Sequence, residues 1–261
     1  MKLRIIALLF GVLALVASGH AKIVSKAVDY EHAGVKLEGW LAYDDSTSGK
    51  KPGVLVVHEW WGMNDFAKGK AEELAKLGYV AFAADMYGKG VTTEDPKKAG
   101  ELAGQFYGKP LMAERARAGL DTLLATGLVA KGKVAAIGFC FGGATCQALA
   151  YTDAPLAGIV SFHGSLIPAP AGANHHAKIL MLHGAADTFV TAEQITTFQK
   201  SMKEGGFEME WIAYPGAVHA FTNPDATRIG KEHGMNIAYN EAAAKASWAK
   251  MQEFFHALFG K

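Results

Sequence analysis

The sequence predicts a doubly wound α/β domain, a mostly parallel sheet of about eight strands with helices on both faces. Three observations point there. From Gly53 onward, short runs rich in Val, Ile and Leu alternate with stretches of helical periodicity, the pattern of parallel strands buried on both sides. Glycines mark helix ends at Gly78, Gly127 and Gly205-Gly206. The 261 residues, half of them hydrophobic, suffice for one domain with a large core over residues 22–261.

An antiparallel hairpin opens the domain at residues 23–30 and 35–43, turning at His32-Ala33-Gly34. Strands follow at 53–57, 79–83, 133–137, 157–162 and 178–182, with an alternating edge strand at 209–214. Helices fit between them at 65–77, 96–106, 111–126, 141–151, 192–204 and 237–259. Ligands in such sheets bind beyond the carboxyl ends of the strands.

Residues 1–21 read as a cleaved signal peptide. Lys2 and Arg4 precede an apolar run, Ile5 to Ala17, and Ser18-Gly19-His20-Ala21 offers a cleavage point after Ala21. The run is shorter than the roughly 20 residues that span a bilayer, so the expectation is a periplasmic or secreted protein that is monomeric and off the membrane. Losing Lys2 and Arg4 leaves 24 Lys and Arg against 25 Asp and Glu, a net charge of −1. That balance gives no electrostatic reason to expect nucleic acid as a partner.

The two cysteines, Cys140 and Cys146, are six apart on one helix and point to nearly opposite faces, a poor geometry for a disulfide. Cys146 reads as a core residue. Cys140 sits in Gly138-Phe139-Cys140-Phe141-Gly142-Gly143, between a strand and a helix. This is a nucleophile elbow with cysteine where serine is usual. The helix N-terminus favours a thiolate and a developing oxyanion, with the N–H of Phe141 as one donor. A Gly-rich turn holding a buried cysteine is the plain alternative. Two further residues weigh against it. Asp187 follows the strand at 178–182 and His219 follows that at 209–214, which gives the order nucleophile, acid, histidine found in α/β-hydrolases. His219 would serve as base and then acid, and Asp187 would orient it.

With these residues, with Ala84-Asp85-Met86-Tyr87-Gly88 and with His58-Glu59-Trp60-Trp61-Gly62, the chain resembles the dienelactone hydrolase family over residues 35–259. The resemblance implies an α/β-hydrolase fold and a small ester or lactone as substrate, cleaved through a thioester; no cofactor is expected, because nucleophile, base and oxyanion donors are all protein groups. It implies that Glu59 bonds the resting thiol and swings away, and that Trp60 gives the second oxyanion N–H. Family members that grip a substrate carboxylate use two arginines. Here the matching regions read Tyr87-Gly88-Lys89-Gly90 and Ala220-Phe221-Thr222-Asn223-Pro224. Lys89 offers a point charge at most, and Arg228 stands near in sequence. Trp60, Trp61, Tyr87 and Phe221 are expected to form an apolar pocket mouth that favours an uncharged or aromatic ester.

Other readings stay open at this level. A thioesterase or peptidase would use the same triad, and a redox-sensing or binding protein would use the scaffold without it. His175-His176 and His58-Glu59 lack metal-ligand spacing, so no metal is expected. His163 and His183 end strands and are given no role.

Overall fold

The computed structural model describes residues 22–46 and 48–260; the signal peptide read at 1–21 lies outside the described residues. The eight strands are β1 (Ile23–His32), β2 (Val35–Asp44), β3 (Lys51–Val57), β4 (Val80–Ala84), β5 (Val129–Phe139), β6 (Gly158–Phe162), β7 (Lys178–Gly184) and β8 (Met209–Tyr214). They form one sheet in the order β1-β2-β4-β3-β5-β6-β7-β8. The hairpin pairs antiparallel with β4, and every pairing from β4 to β8 is parallel.

Helices α1 (Asp65–Lys76), α2 (Pro96–Ala103), α3 (Leu111–Ala125), α4 (Phe141–Ala150), α5 (Ala192–Glu204), α6 (Ala226–His233) and α7 (Glu241–Phe259) complete the fold. Alternate residues of β5 show how the layers form. Val134 and Ala136 pack with Leu120 and Leu123 of α3 and Leu149 of α4. Ala135, Ile137 and Phe139 pack on the opposite face with Leu74 of α1 and Phe255 of α7. A period of two thus divides one apolar run between two cores.

Three boundaries differ from expectation by three residues or more, and the first is β5, which starts at Val129, not at 133. Helix α2 stops at Ala103, not at 106. The last helix starts at Glu241, where Asn240 Oδ1 accepts the Ala243 N–H. The segment before it serves the site instead, since Ile237 bridges to His219. Helix α6 was not foreseen; its eight residues, about two turns, end at Gly234 in the left-handed region, φ +64°.

The centre of the sheet is built for close backbone approach. A Cβ on Gly142 would stand 2.2 Å from the Val57 carbonyl oxygen, and one on Gly138 would stand 2.0 Å from the Gly142 oxygen. Both neighbours are backbone, so neither can move aside cheaply. Gly142→Ala should therefore destabilise the fold by about 2 kcal/mol or more, read as a lower urea midpoint with unchanged slope.

Candidate active site

Cys140 stands between β5 and α4 with φ +52° and ψ −114°, a conformation that a residue with a Cβ adopts only under constraint. The constraint is visible. Its N–H donates to Phe162 O on β6 at 3.0 Å, and its carbonyl accepts from Gly143 N at 3.0 Å and Ala144 N at 3.3 Å. The half-buried thiol is thereby held above the sheet at the start of α4. Among the described residues, the N–H groups of Phe141 and Trp60 take part in no hydrogen bond. Cys146, in the same helix, is fully buried in the core, and burial pushes its thiol pKa up.

Asp187 and His219 come from the loops after β7 and β8. A Cβ on Gly184 would be 2.6 Å from Ala217 O, so the two loops are in backbone contact, and Ala186 N donates to Ala217 O at 2.9 Å. Asp187 Oδ1 accepts the Phe189 N–H at 2.8 Å, while Oδ2 lies 2.8 Å from His219 Nδ1. That bond leaves Nε2 of the imidazole free of Asp187, in the cavity that His219 and Cys140 both line. Burial opposes the imidazolium of His219. Cys140 by its charge and Asp187 by hydrogen bond and charge outweigh burial and push its pKa up to about 10. Burial likewise opposes the carboxylate of Asp187, and His219, by hydrogen bond and charge, still holds it below its usual range.

Glu59 shares this space. Its carboxyl is pushed up to about 7 by burial, partly offset by an Asn223 hydrogen bond and the charge of His219. Asn223 Nδ2 donates to Glu59 Oε2 at 2.6 Å. The contact drawn is thus to Asn223, in place of the thiol contact implied by the resemblance.

His58 bears on the neighbouring peptide. Met86 N donates to its Nε2 at 3.2 Å, which makes Nδ1 the protonated nitrogen, and Nδ1 donates to the Glu59 carbonyl. The Glu59 carbonyl and the Trp60 N–H belong to one peptide, so His58 fixes the plane of that amide. Burial pushes the His58 pKa down, keeping this neutral tautomer.

A cavity of about 280 Å³ opens over Cys140 and His219. Trp60 and Trp61 form one wall. Gly100, Ala103 and Gly104 of α2 form another, and Tyr107, Phe189 and Ile237 complete it. No lysine or arginine lines it among the described residues.

The sequence model of the dienelactone hydrolase family matches residues 37–259. The chain belongs to the dienelactone hydrolase family. A Yersinia pestis protein that carries the name carboxymethylenebutenolidase is 27% identical, covering 85% of this chain and 84% of that protein. Protein usf of Aquifex pyrophilus is 26% identical, covering 89% and 98%. Among solved structures, the dienelactone hydrolase-like promiscuous phosphotriesterase P91 from metagenomic libraries is 38% identical with a TM-score of 0.86, covering 92% of this chain and 99% of that one. The structure named m3DLH is 34% identical at a TM-score of 0.85, covering 91% and 99%. The chain is thus a hydrolase of a family acting on lactones and esters.

Three residues expected in this hydrolase's pocket lie elsewhere. Lys89 is drawn to the hairpin, where its ammonium pairs with Asp29 at 2.7 Å and Glu38 at 2.9 Å. Phe221 is fully buried against His163 and Tyr214, because Ala220 at φ +58° turns the chain inward. Tyr87 stands behind the wall, its hydroxyl donating to Trp60 O at 3.1 Å and its ring against Phe141. Arg228 is exposed and pairs with Glu232 at 2.7 Å, facing a neighbouring cleft.

The sequence reading missed Asn223, the α2 wall, Tyr107 and Phe189. Only Asn223 carried a signal, as the residue found where the family's second arginine region lies. His163 also gains a place. It packs edge-on against His219 at 5.3 Å with Nε2 2.8 Å from Thr222 Oγ1, and burial pushes its pKa well down, keeping it neutral. His183 is likewise pushed down by burial, against the pull of Asp187.

Two titrations check this electrostatic arrangement. Cys140 supplies the largest upward push on His219, so Cys140→Ala should bring the His219 pKa down from about 10, read by NMR of the imidazole. An unchanged value would mean that thiol and imidazole are not paired. For Glu59, the folded pKa of about 7 lies above the usual 4.5. Its protonated form therefore stabilises the fold below pH 4.5, and that advantage is lost as pH rises through 7. Glu59→Gln should be more stable than wild type at pH 9 than at pH 4 by about 3 kcal/mol, measured by urea denaturation at both.

Proposed function

We propose that this dienelactone hydrolase family member cleaves a small neutral ester or lactone, with Cys140 as nucleophile, His219 as general acid and base, and Asp187 as orienting carboxylate. The observation that carries the reading is the His219 imidazole, bonded to Asp187 through Nδ1 and lining one cavity with Cys140. In this reading His219 takes the thiol proton, which gives the thiolate and imidazolium pair that a thiol nucleophile needs at neutral pH.

The thiolate attacks the carbonyl carbon, and the electron pair of the C=O bond moves to oxygen. The N–H groups of Phe141 and Trp60 receive that oxyanion. As the intermediate collapses, His219 gives its proton to the leaving alkoxide and a thioester remains on Cys140. Water then attacks the thioester while neutral His219 takes its proton. Collapse expels the thiolate, releases the acid and restores the imidazolium. Glu59, held by Asn223, lines the same cavity as the thiol and is proposed to tune its charge.

Neutrality of the substrate follows from the cavity lining. A substrate carboxylate would meet Glu59 with no lysine or arginine in the lining to grip it, since Lys89 is bound to Asp29 and Glu38. The same neutrality suits an uncharged phosphotriester as a second substrate class. The reading includes export from the cytoplasm, which rests on Lys2, Arg4 and the apolar run of residues 5–17.

Hydrolysis of p-nitrophenyl acetate by the protein lacking residues 1–21, with mass spectrometry of Cys140 after rapid quenching, tests the chemistry. Cys140→Ala should lower kcat/KM by roughly a thousandfold or more, and the wild type should carry an acetyl adduct on Cys140. Turnover that survives Cys140→Ala would sink the assignment.

A further inference from the structure

We infer that Gly100 sets the width of the cavity mouth, and that the site takes esters whose acyl part is a bulky apolar group, aryl or medium-length alkyl, laid over Trp60. This inference rests on the esterase reading above and names the substrate class of that same site.

Gly100 is a glycine that the backbone does not require. Gly100 lies inside α2, Pro96–Ala103, and is absent from the glycines with positive φ. A glycine in a helix interior is destabilising relative to alanine. Packing does not demand it either. A Cβ built on Gly100 would meet only the Trp60 ring, Cζ3 at 4.0 Å, an ordinary contact. Gly104, at the helix end, differs: a Cβ there would stand 2.9 Å from the Gly100 carbonyl oxygen. What the missing side chain at Gly100 leaves open is the space above the indole of Trp60, inside the cavity.

A second observation concerns the rim. Phe189 is 50% exposed and Tyr107 38% exposed, two of the four large hydrophobic residues left this open among the described residues. Both line the cavity that holds Cys140. Phe189 also covers the His219 ring, with centroids 5.0 Å apart. The apolar lining therefore continues past the enclosed volume onto the surface, where it would otherwise face water. A short acyl group would leave that surface wet. A longer or aromatic one covers it, packing on Trp60 across from Gly100.

A side chain at Gly100 would lie over Trp60 and occupy that space. Gly100→Leu and Gly100→Ala should both fold well, because each removes a helix-interior glycine; an unchanged or raised Tm checks this. On p-nitrophenyl esters, which hold the leaving group constant, Gly100→Leu should lower kcat/KM for octanoate and phenylacetate at least tenfold. Acetate should stay within about twofold, with Gly100→Ala between the two. An equal fall for all esters, or no fall for the bulky ones, overturns the inference.

A binding arm is independent of turnover. Isothermal titration of benzyl methyl ketone into Cys140→Ala should show binding that weakens at least tenfold when Gly100→Leu is added. Absence of that loss again overturns the inference. If the wild type hydrolyses no ester but the ketone binds in a Gly100-dependent way, the esterase reading falls and the apolar groove stands.

Discussion

The backbone of Cys140, at φ +52° and ψ −114°, is the constraint on which the rest of the site depends. A turn this sharp lifts the side chain clear of the sheet, and holding a non-glycine residue there costs about 1–3 kcal/mol. The surrounding structure meets that cost by fixing both ends of the turn. The residue's own N–H is tied to β6 and its carbonyl to the first turn of α4. Gly138 and Gly142 let strand, turn and helix approach to distances that any Cβ would prevent. A helix set this close to the sheet aims its N-terminal dipole at the thiol.

The histidine side of the site is held by different means. The loops after β7 and β8 are long enough to wander, yet they touch through backbone at Gly184 and Ala217. The segment before α7 then clamps the second loop: Ala238 N donates to His219 O and Asn240 N to Phe221 O. His163 closes the space behind the imidazole as a buried neutral ring. An imidazolium in such a place would be costly alone. It is tolerated because the Asp187 carboxylate is hydrogen-bonded to it at 2.8 Å.

The Glu59 loop joins the two halves. His58 holds the Glu59–Trp60 peptide to the end of β4, and Tyr87 holds the next carbonyl. Asn223, from beyond the histidine, holds the Glu59 carboxyl. Each of these partners comes from a different strand end. The site's precision is therefore a property of the sheet's whole carboxyl edge, and the cavity takes its apolar character from α2 and the two tryptophans.

Much of this was legible in the chain itself. Val-rich runs and helical periods alternate, which specifies a parallel sheet because only strands covered on both faces read that way. The glycines around Cys140 announced a sharp turn, and the placement of Asp187 and His219 after consecutive strands put all three at one edge. Tertiary structure decided what proximity alone can decide. Lys89 follows a strand whose end faces the site, yet two carboxylates on the hairpin, 60 and 51 residues earlier, draw it away. Phe221 looked like a pocket aromatic, but a single positive φ at Ala220 turned it into the core. Tyr107, Phe189 and Gly100 had no local pattern to mark them, and Asn223 was marked only by its place in the second arginine region, since their roles arise from neighbours far off in sequence. Local periodicity encodes which face a residue takes; only the folded chain encodes which charges and rings it will meet there.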